Sequence, residues 1–159
     1  MRITRYGKRM GGPWYGEDSP RLIFEREASR YFPGLSSVTI TSDRNAGRKY
    51  RLTVNVPHYG ARRVQILFRK DSAKLPRVTV DGPADSKHRF SSGDLCMWYY
   101  GDPAENQWSF EDGLVALLGY IVAHLFREAW YRETGEWLGP EVDHSRIEPE
   151  SVKQQGVQL

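Results

Sequence analysis

Between Val38 and Val80 the apolar side chains recur at every second position, and that period constrains the backbone to strands. Tyr50, Leu52, Val54 and Val56 fall on one side, with Arg51, Thr53 and Asn55 on the other. Val64, Ile66 and Phe68 repeat the alternation, Val38 and Ile40 precede it, and Val78-Thr79-Val80 is a shorter fourth run before Asp81-Gly82-Pro83. Asn45-Ala46-Gly47 and His58-Tyr59-Gly60 supply turns between the runs. Connections this short join antiparallel neighbours, because a parallel return needs a crossover of about a dozen residues or more. The expectation is a four-stranded antiparallel meander with one apolar face that needs a cover.

Helical patterns on either side supply that cover. Ser19-Pro20 reads as an N-cap followed by proline at the first helical position. Leu22, Ile23, Ala28 and Tyr31 carry a near-helical spacing to Phe32, where Pro33-Gly34 ends it. The strongest helix comes late: Leu114, Leu117, Leu118, Ile121, Leu125 and Trp130 hold an apolar stripe from Phe110 to about Tyr131. Glu111 and Asp112 suit the positive end of its dipole, and Thr134-Gly135 ends it. Residues 82–107 show neither period and read as a long loop, where function tends to concentrate. The fold class expected is α/β of the α+β type: a meander flanked by an N-terminal helix and C-terminal helices. Residues 1–16 read as an irregular basic arm, 17–148 as a single domain and 149–159 as a polar tail.

Composition narrows the classes further. The 159 residues, 39% hydrophobic and 27% charged, suit one globular domain rather than a disordered chain. No apolar run approaches membrane-spanning length, and the first nine residues lack the apolar stretch of a secretory signal. With one cysteine, the expected setting is a reducing cytoplasm, with no membrane partner. The net charge of +3 hides an asymmetry: residues 1–70 hold 15 Lys and Arg against 5 Asp and Glu, and residues 71–159 hold 8 against 15. Arg21, Arg26 and Arg30 line the first helix, below Arg2, Arg5, Lys8 and Arg9. Such a basic half meets an acidic protein, a nucleic acid or only water. Tyr6, Trp14 and Tyr15 among the arginines are what single-strand binders use, but no named nucleic-acid motif is present. The acidic second half also opposes an encircling mode, so nucleic acid is the weaker choice of partner.

Cys96 is the only cysteine, so it forms no internal disulfide and is filler, metal ligand or nucleophile. It follows His88-Arg89-Phe90-Ser91-Ser92-Gly93-Asp94-Leu95, where the Gly and Ser residues argue for exposed irregular backbone. The competing reading is a small buried hydrophobe. His58, His88, His124 and His144 lack the short paired spacings of metal sites, and His124 lies on an apolar helix face, which suits a core or interface histidine. No metal and no cofactor are expected.

The order of parts carries a resemblance. A helix, a meander, a long loop with a Gly-x-Leu-Cys-Met element, then a Trp and a helix make the chain similar to the ubiquitin-conjugating (E2) family over roughly residues 20–132. In that family a proline-containing segment after the third strand leads to His-Pro-Asn, then to Gly-x-Ile-Cys-Leu with the thioester cysteine, then to Trp-Pro before a long helix. Here those parts stand as Val64-Gln65-Ile66-Leu67-Phe68, Leu75-Pro76-Arg77-Val78, His88-Arg89-Phe90, Gly93-Asp94-Leu95-Cys96-Met97 and Trp108-Ser109-Phe110. His88 lies eight residues before Cys96, where the family's Asn stands, and His88-Arg89-Phe90 lacks that Asn. The ending from Trp130 through Trp137 and Glu141 to His144 resembles bacterial E2-like proteins of antiphage (CBASS-type) operons, found beside cGAS-like nucleotidyltransferases, including versions without a fused activating (E1) domain.

The resemblance implies a UBC-like fold and an E2-like transferase that holds an acyl group on Cys96. The partners it implies are a ubiquitin-like protein or the C-terminal tail of a cGAS-like nucleotidyltransferase, with an E1-like activating enzyme as donor. A cysteine of pKa about 8.5 is only a few per cent thiolate at neutral pH, so Lys87, His88 and Arg89 are candidates to lower it. His88 is also the candidate donor to a tetrahedral intermediate. Asp94 and Asp102 flank the cysteine and either help an attacking amine or cap turns. Trp98, Tyr99 and Tyr100 either line a groove for a protein tail or pack the loop onto the sheet. Leu95 and Met97 pack the cysteine's flank, and Trp108 anchors the loop to the following helix. Arg21, Arg26 and Arg30 are the candidate face for the activating partner. Two other classes stay open: a catalytically inactive scaffold of the same fold, and a basic nucleic-acid-binding module.

Overall fold

A computed structural model describes residues 12–98 and 101–139. Four strands, β1 (Ser36–Ile40), β2 (Gly47–Val56), β3 (Gly60–Arg69) and β4 (Pro76–Val80), pair in the order β1-β2-β3-β4, all antiparallel. This is the expected meander, of a mixed α/β architecture consistent with a UBC-like fold. Tyr50, Leu52, Val54 and Val56 of β2 and Val64, Ile66 and Phe68 of β3 are buried on one face, as their alternation requires. β1 differs, because as an edge strand it leaves Val38 half exposed.

The covering helices are α1 (Asp18–Phe24), α2 (Ala28–Tyr31) and α3 (Gly113–Thr134). The single N-terminal helix expected from residues 19–32 is thus two short ones. Glu27 sits in the left-handed region at φ 62°, and Glu25 leaves the helix to bind the sheet. Glu25 Oε1 accepts from Arg48 Nη2 at 2.9 Å and from the Tyr50 hydroxyl at 2.8 Å. The turn then sets the fully buried Ala28 at the start of α2, which packs on α3. The start also shifts: Glu17 is the N-cap and Pro20 lies within the first turn, where a missing N–H costs no helical bond.

Residues 12–16 are not an arm. Trp14 and Tyr15, in a 3₁₀ turn over Trp14–Gly16, are buried in the core. Trp14 lies 4.8 Å from Phe24 and 5.0 Å from Phe110 between ring centroids, and Phe24 stacks on Phe110 at 4.7 Å. Apolar area outweighs the nearby basic residues in placing this segment. The rest of the arm and the polar tail lie outside the described residues.

In α3 the stripe of Leu114, Leu117, Leu118, Ile121 and Leu125 is fully buried, whereas Trp130 is half buried and stacks on Phe126. Contrary to the expectation from the sequence, Phe110–Thr134 is long and apolar enough to cross a membrane by length and composition. Its apolar stripe faces the protein core instead, and two polar residues, His124 and Glu128, are buried with it. The helix begins after a capping box in which Ser109 N–H donates to Asp112 Oδ2 at 2.8 Å, and ends at Gly135 in the left-handed region at φ 79°.

Gly47 shows how tightly β2 and β3 approach. A Cβ there would overlap the Phe68 carbonyl oxygen and lie 2.9 Å from Arg69 Cα, both backbone atoms that have little room to give. Gly47→Ala is expected to lower stability by about 2–3 kcal/mol, read as a fall in the denaturant midpoint.

Candidate active site

Residues 88–96 do not form an irregular loop but a small hairpin hooked to the sheet. Cys96 N–H donates to the His88 carbonyl at 2.9 Å, and Phe90 N–H donates to the Asp94 carbonyl at 2.9 Å. Gly93, at φ 93°, closes the turn with its N–H on the Phe90 carbonyl at 2.8 Å. Leu95 N–H then donates to Val78 of β4 at 3.0 Å, and the Leu95 side chain is buried. A sheet edge that would otherwise stand open is thereby covered, and Cys96 is held beside β4.

A buried ion pair fixes the other side of the hairpin. Arg89 Nε and Nη2 meet Glu128 Oε2 and Oε1 at 2.6 and 2.7 Å, and Arg89 Nη1 donates to the Gly93 carbonyl at 2.8 Å. The Arg89 side chain is 7% exposed and Glu128 0%. His124 Nε2 lies 3.5 Å from Glu128 Oε2, and Arg132 Nη1 lies 3.8 Å from Oε1. Burial by itself would raise the Glu128 carboxyl, but the hydrogen bonds from Arg89 and the nearby His124 overcome it and hold the group at about 2.

The Cys96 thiol is half buried, with Sγ 3.8 Å from the Trp98 carbonyl oxygen. Burial pushes the thiol above its ordinary value, and the Asp102 charge pushes it further. The expectation that Lys87, His88 and Arg89 lower it is therefore reversed. Arg89 is spent on Glu128, Lys87 Nζ sits 5.2 Å over the Tyr131 ring, and the His88 ring packs on Trp137 at 4.5 Å between centroids. His88 and Cys96 are thus joined through the backbone, with His88 itself in the left-handed region at φ 59°.

Of the two flanking carboxylates, Asp102 is the one whose charge reaches the thiol; Asp94 contributes its carbonyl to the hairpin turn. The Asp102 carbonyl accepts from Gln107 Nε2 at 2.7 Å, which braces the loop after the cysteine. Asp102→Asn is expected to shift the pH dependence of Cys96 alkylation by iodoacetamide to lower pH, because a charge opposing the thiolate is removed. An unmoved profile would exclude Asp102 as that charge.

Trp108 is buried, donates from Nε1 to the Gly113 carbonyl at 2.9 Å and lies 6.0 Å from Trp98 between centroids. Trp98 also meets Tyr120 of α3 edge-on at 5.7 Å, so it packs the loop onto the helix. Met97 is partly buried against the core. Tyr99, Tyr100 and His144 lie outside the described residues, as do the basic residues before Gly12. Arg21 and Arg30 of the proposed basic face are matched locally: Arg21 reaches Asp18 at 3.0 Å and Glu25 at 3.6 Å, and Arg30 reaches Glu27 at 3.7 Å. Arg26 is exposed in the turn between α1 and α2, and α1 exposes Leu22 and Ile23.

Glu128 and Trp137 were not singled out as site residues by sequence reasoning. A signal existed for Glu128: it continues the stripe of Ile121 and Leu125, and a carboxylate on a buried helix face demands a partner. His124, read as a core histidine, is buried beside it and 5.5 Å from Trp137 between ring centroids.

A protein-family model described as Type II CBASS E2 protein matches residues 27–145. Comparisons with curated proteins and with solved structures found no match.

Proposed function

The chain belongs to the type II CBASS E2 protein family, and from that premise we propose that Cys96 carries the C-terminal carboxyl of a protein as a thioester and passes it to an amine. Membership places the protein in the antiviral defence of a CBASS operon, with an E2-like role among that operon's other proteins. The observation that supports acyl carriage best is the setting of the sole thiol, half exposed on a hairpin that β4 and α3 both pin.

In this reading the Cys96 thiolate attacks the carbonyl of a donor thioester, and the tetrahedral intermediate collapses with loss of the donor thiolate. An amine, in the simplest case a lysine, then attacks the Cys96 thioester; the amide forms, Cys96 leaves as a thiolate, and the proton shed by the nitrogen goes to water or to that thiolate. A site that disfavours the thiolate suits the carrier state, because a thioester has no charge to desolvate. It also makes Cys96 a poorer leaving group than an ordinary thiol, which favours transfer onto it from one. The Asp102 carboxylate, whose charge acts on the Cys96 thiol, is the group that in this reading favours the positive charge developing on the attacking nitrogen. The cargo is a ubiquitin-like protein or the tail of a cGAS-like nucleotidyltransferase, the donor is an E1-like enzyme, and the setting is a cytoplasm that keeps the thiol reduced.

Mass spectrometry of the protein from its native host, under non-reducing conditions, tests this. The expected result is a protein-sized adduct on Cys96 that neutral hydroxylamine releases, as it does a thioester and not a disulfide. No adduct, with the activating partner present, would favour a scaffold without catalysis. That second reading has one observation behind it: the free thiol is held protonated rather than activated.

A further inference from the structure

The hairpin that bears Cys96 is clamped to α3 by a charge pair that sheet pairing alone does not require. We propose that Glu128 is a positioning residue: acting through Arg89, it sets where Cys96 stands and how deeply its thiol is buried. The inference rests on the reading of Cys96 as the reacting group.

The geometry makes the link short. Arg89 uses both ends of its guanidinium, gripping the two Glu128 oxygens and also the Gly93 carbonyl. One side chain therefore ties the first arm of the hairpin and its turn to the helix. The bridge between Arg89 and Leu95 carries that tie across to the second arm, one residue from Cys96. Among the described residues, the other charged and titratable groups beside Glu128 are His124 and Arg132, both from α3 itself, at 3.5 and 3.8 Å. A planar fork on a fixed carboxylate restricts angle as well as distance, which a purely apolar contact at the same place would not do. Burying both charges is costly, and hydrophobic residues would supply equal stability, so the pair is better explained by orientation than by stability.

The test compares the full-length wild type with Glu128→Gln, which keeps the side-chain shape but removes the charge. Iodoacetamide labelling of Cys96 at neutral pH, followed by mass spectrometry, needs no partner protein. Loosening the hairpin is expected to raise the labelling rate roughly three- to tenfold and shift its pH profile to lower pH, because a less buried thiol ionises more readily. Thioester loading by the activating partner is expected to fall in the same variant, since a reacting atom out of place loses its alignment. Val54→Ala, in the core away from the hairpin, controls for stability. If Val54→Ala raises labelling as much for the same loss of Tm, or if Glu128→Gln labels as the wild type does, the proposal is wrong. Should Glu128→Gln fail to fold, Arg89→Lys takes its place: it keeps the charge, loses the fork, and is held to the same two comparisons. A wild type that never loads would overturn the carrier reading, while the labelling rates would still decide whether Glu128 positions Cys96.

Discussion

Arg89→Ala is expected to destabilise the protein by about 3–5 kcal/mol, the cost of leaving one partner of a buried pair uncompensated. Glu128 would remain with no exposure and without its two-bond partner, and His124 and Arg132, at 3.5 and 3.8 Å, replace neither of the short bonds. For a chain of this size the loss corresponds to a fall in Tm of about 10–15 °C. Its pH dependence separates it from a packing defect. In the wild type the folded carboxyl sits at about 2, below its ordinary 4.5. A depressed carboxyl contributes stability that is present above its unfolded value and is lost as pH falls from about 4.5 towards about 2, here roughly 3 kcal/mol. In Arg89→Ala burial is opposed only by the weaker partners, the folded value rises, and protonation relieves the unpaired charge. The stability gap between wild type and variant should therefore narrow as pH drops through that window. Urea midpoints at neutral pH and near pH 4 measure it. A gap that is constant across pH would mean that lost packing, not charge, causes the defect.

Cys96→Ala should leave the fold almost untouched and remove acyl carriage altogether. The thiol is half exposed and among the described residues makes one long hydrogen bond, to the Trp98 carbonyl, so its loss costs about 1 kcal/mol or less. Cys96 is the only thiol in the chain, and no other side chain replaces it as a thioester carrier. The hydroxylamine-labile adduct should vanish with circular dichroism and Tm unchanged. Persistence of the adduct in Cys96→Ala would move the acyl bond to another residue and end the proposed chemistry. Loss of the adduct together with loss of the fold would instead make Cys96 a structural residue.

The strands were readable because a half-buried sheet writes its two faces into alternate residues. Val64, Ile66 and Phe68 needed only a period of two, and the short turns after β1 and β2 left no alternative to antiparallel pairing. α3 was readable for the same reason at its own period. The site was legible in part. Cys96 stood out by being alone, and its flanking residues carried the family resemblance that the match over residues 27–145 bears out. What surrounds the thiol was not legible. Lys87, His88 and Arg89 share one charge-rich stretch, yet their side chains go to Tyr131, Trp137 and Glu128, all distant in sequence.

By itself, then, the sequence determined which residues alternate, which helix covers them and which thiol is available, because periodicity and uniqueness are local properties of the chain. Only the tertiary structure decided that Trp14 and Tyr15 belong to the core, that α1 and α2 break at Glu27, and that Arg89 faces a carboxylate thirty-nine residues away. It also decided the sign of the shift at Cys96, since burial and the Asp102 charge depend on what the fold brings near the sulfur. Electrostatic effects are set by distance in space and by the water displaced, and neither quantity is written in the order of residues.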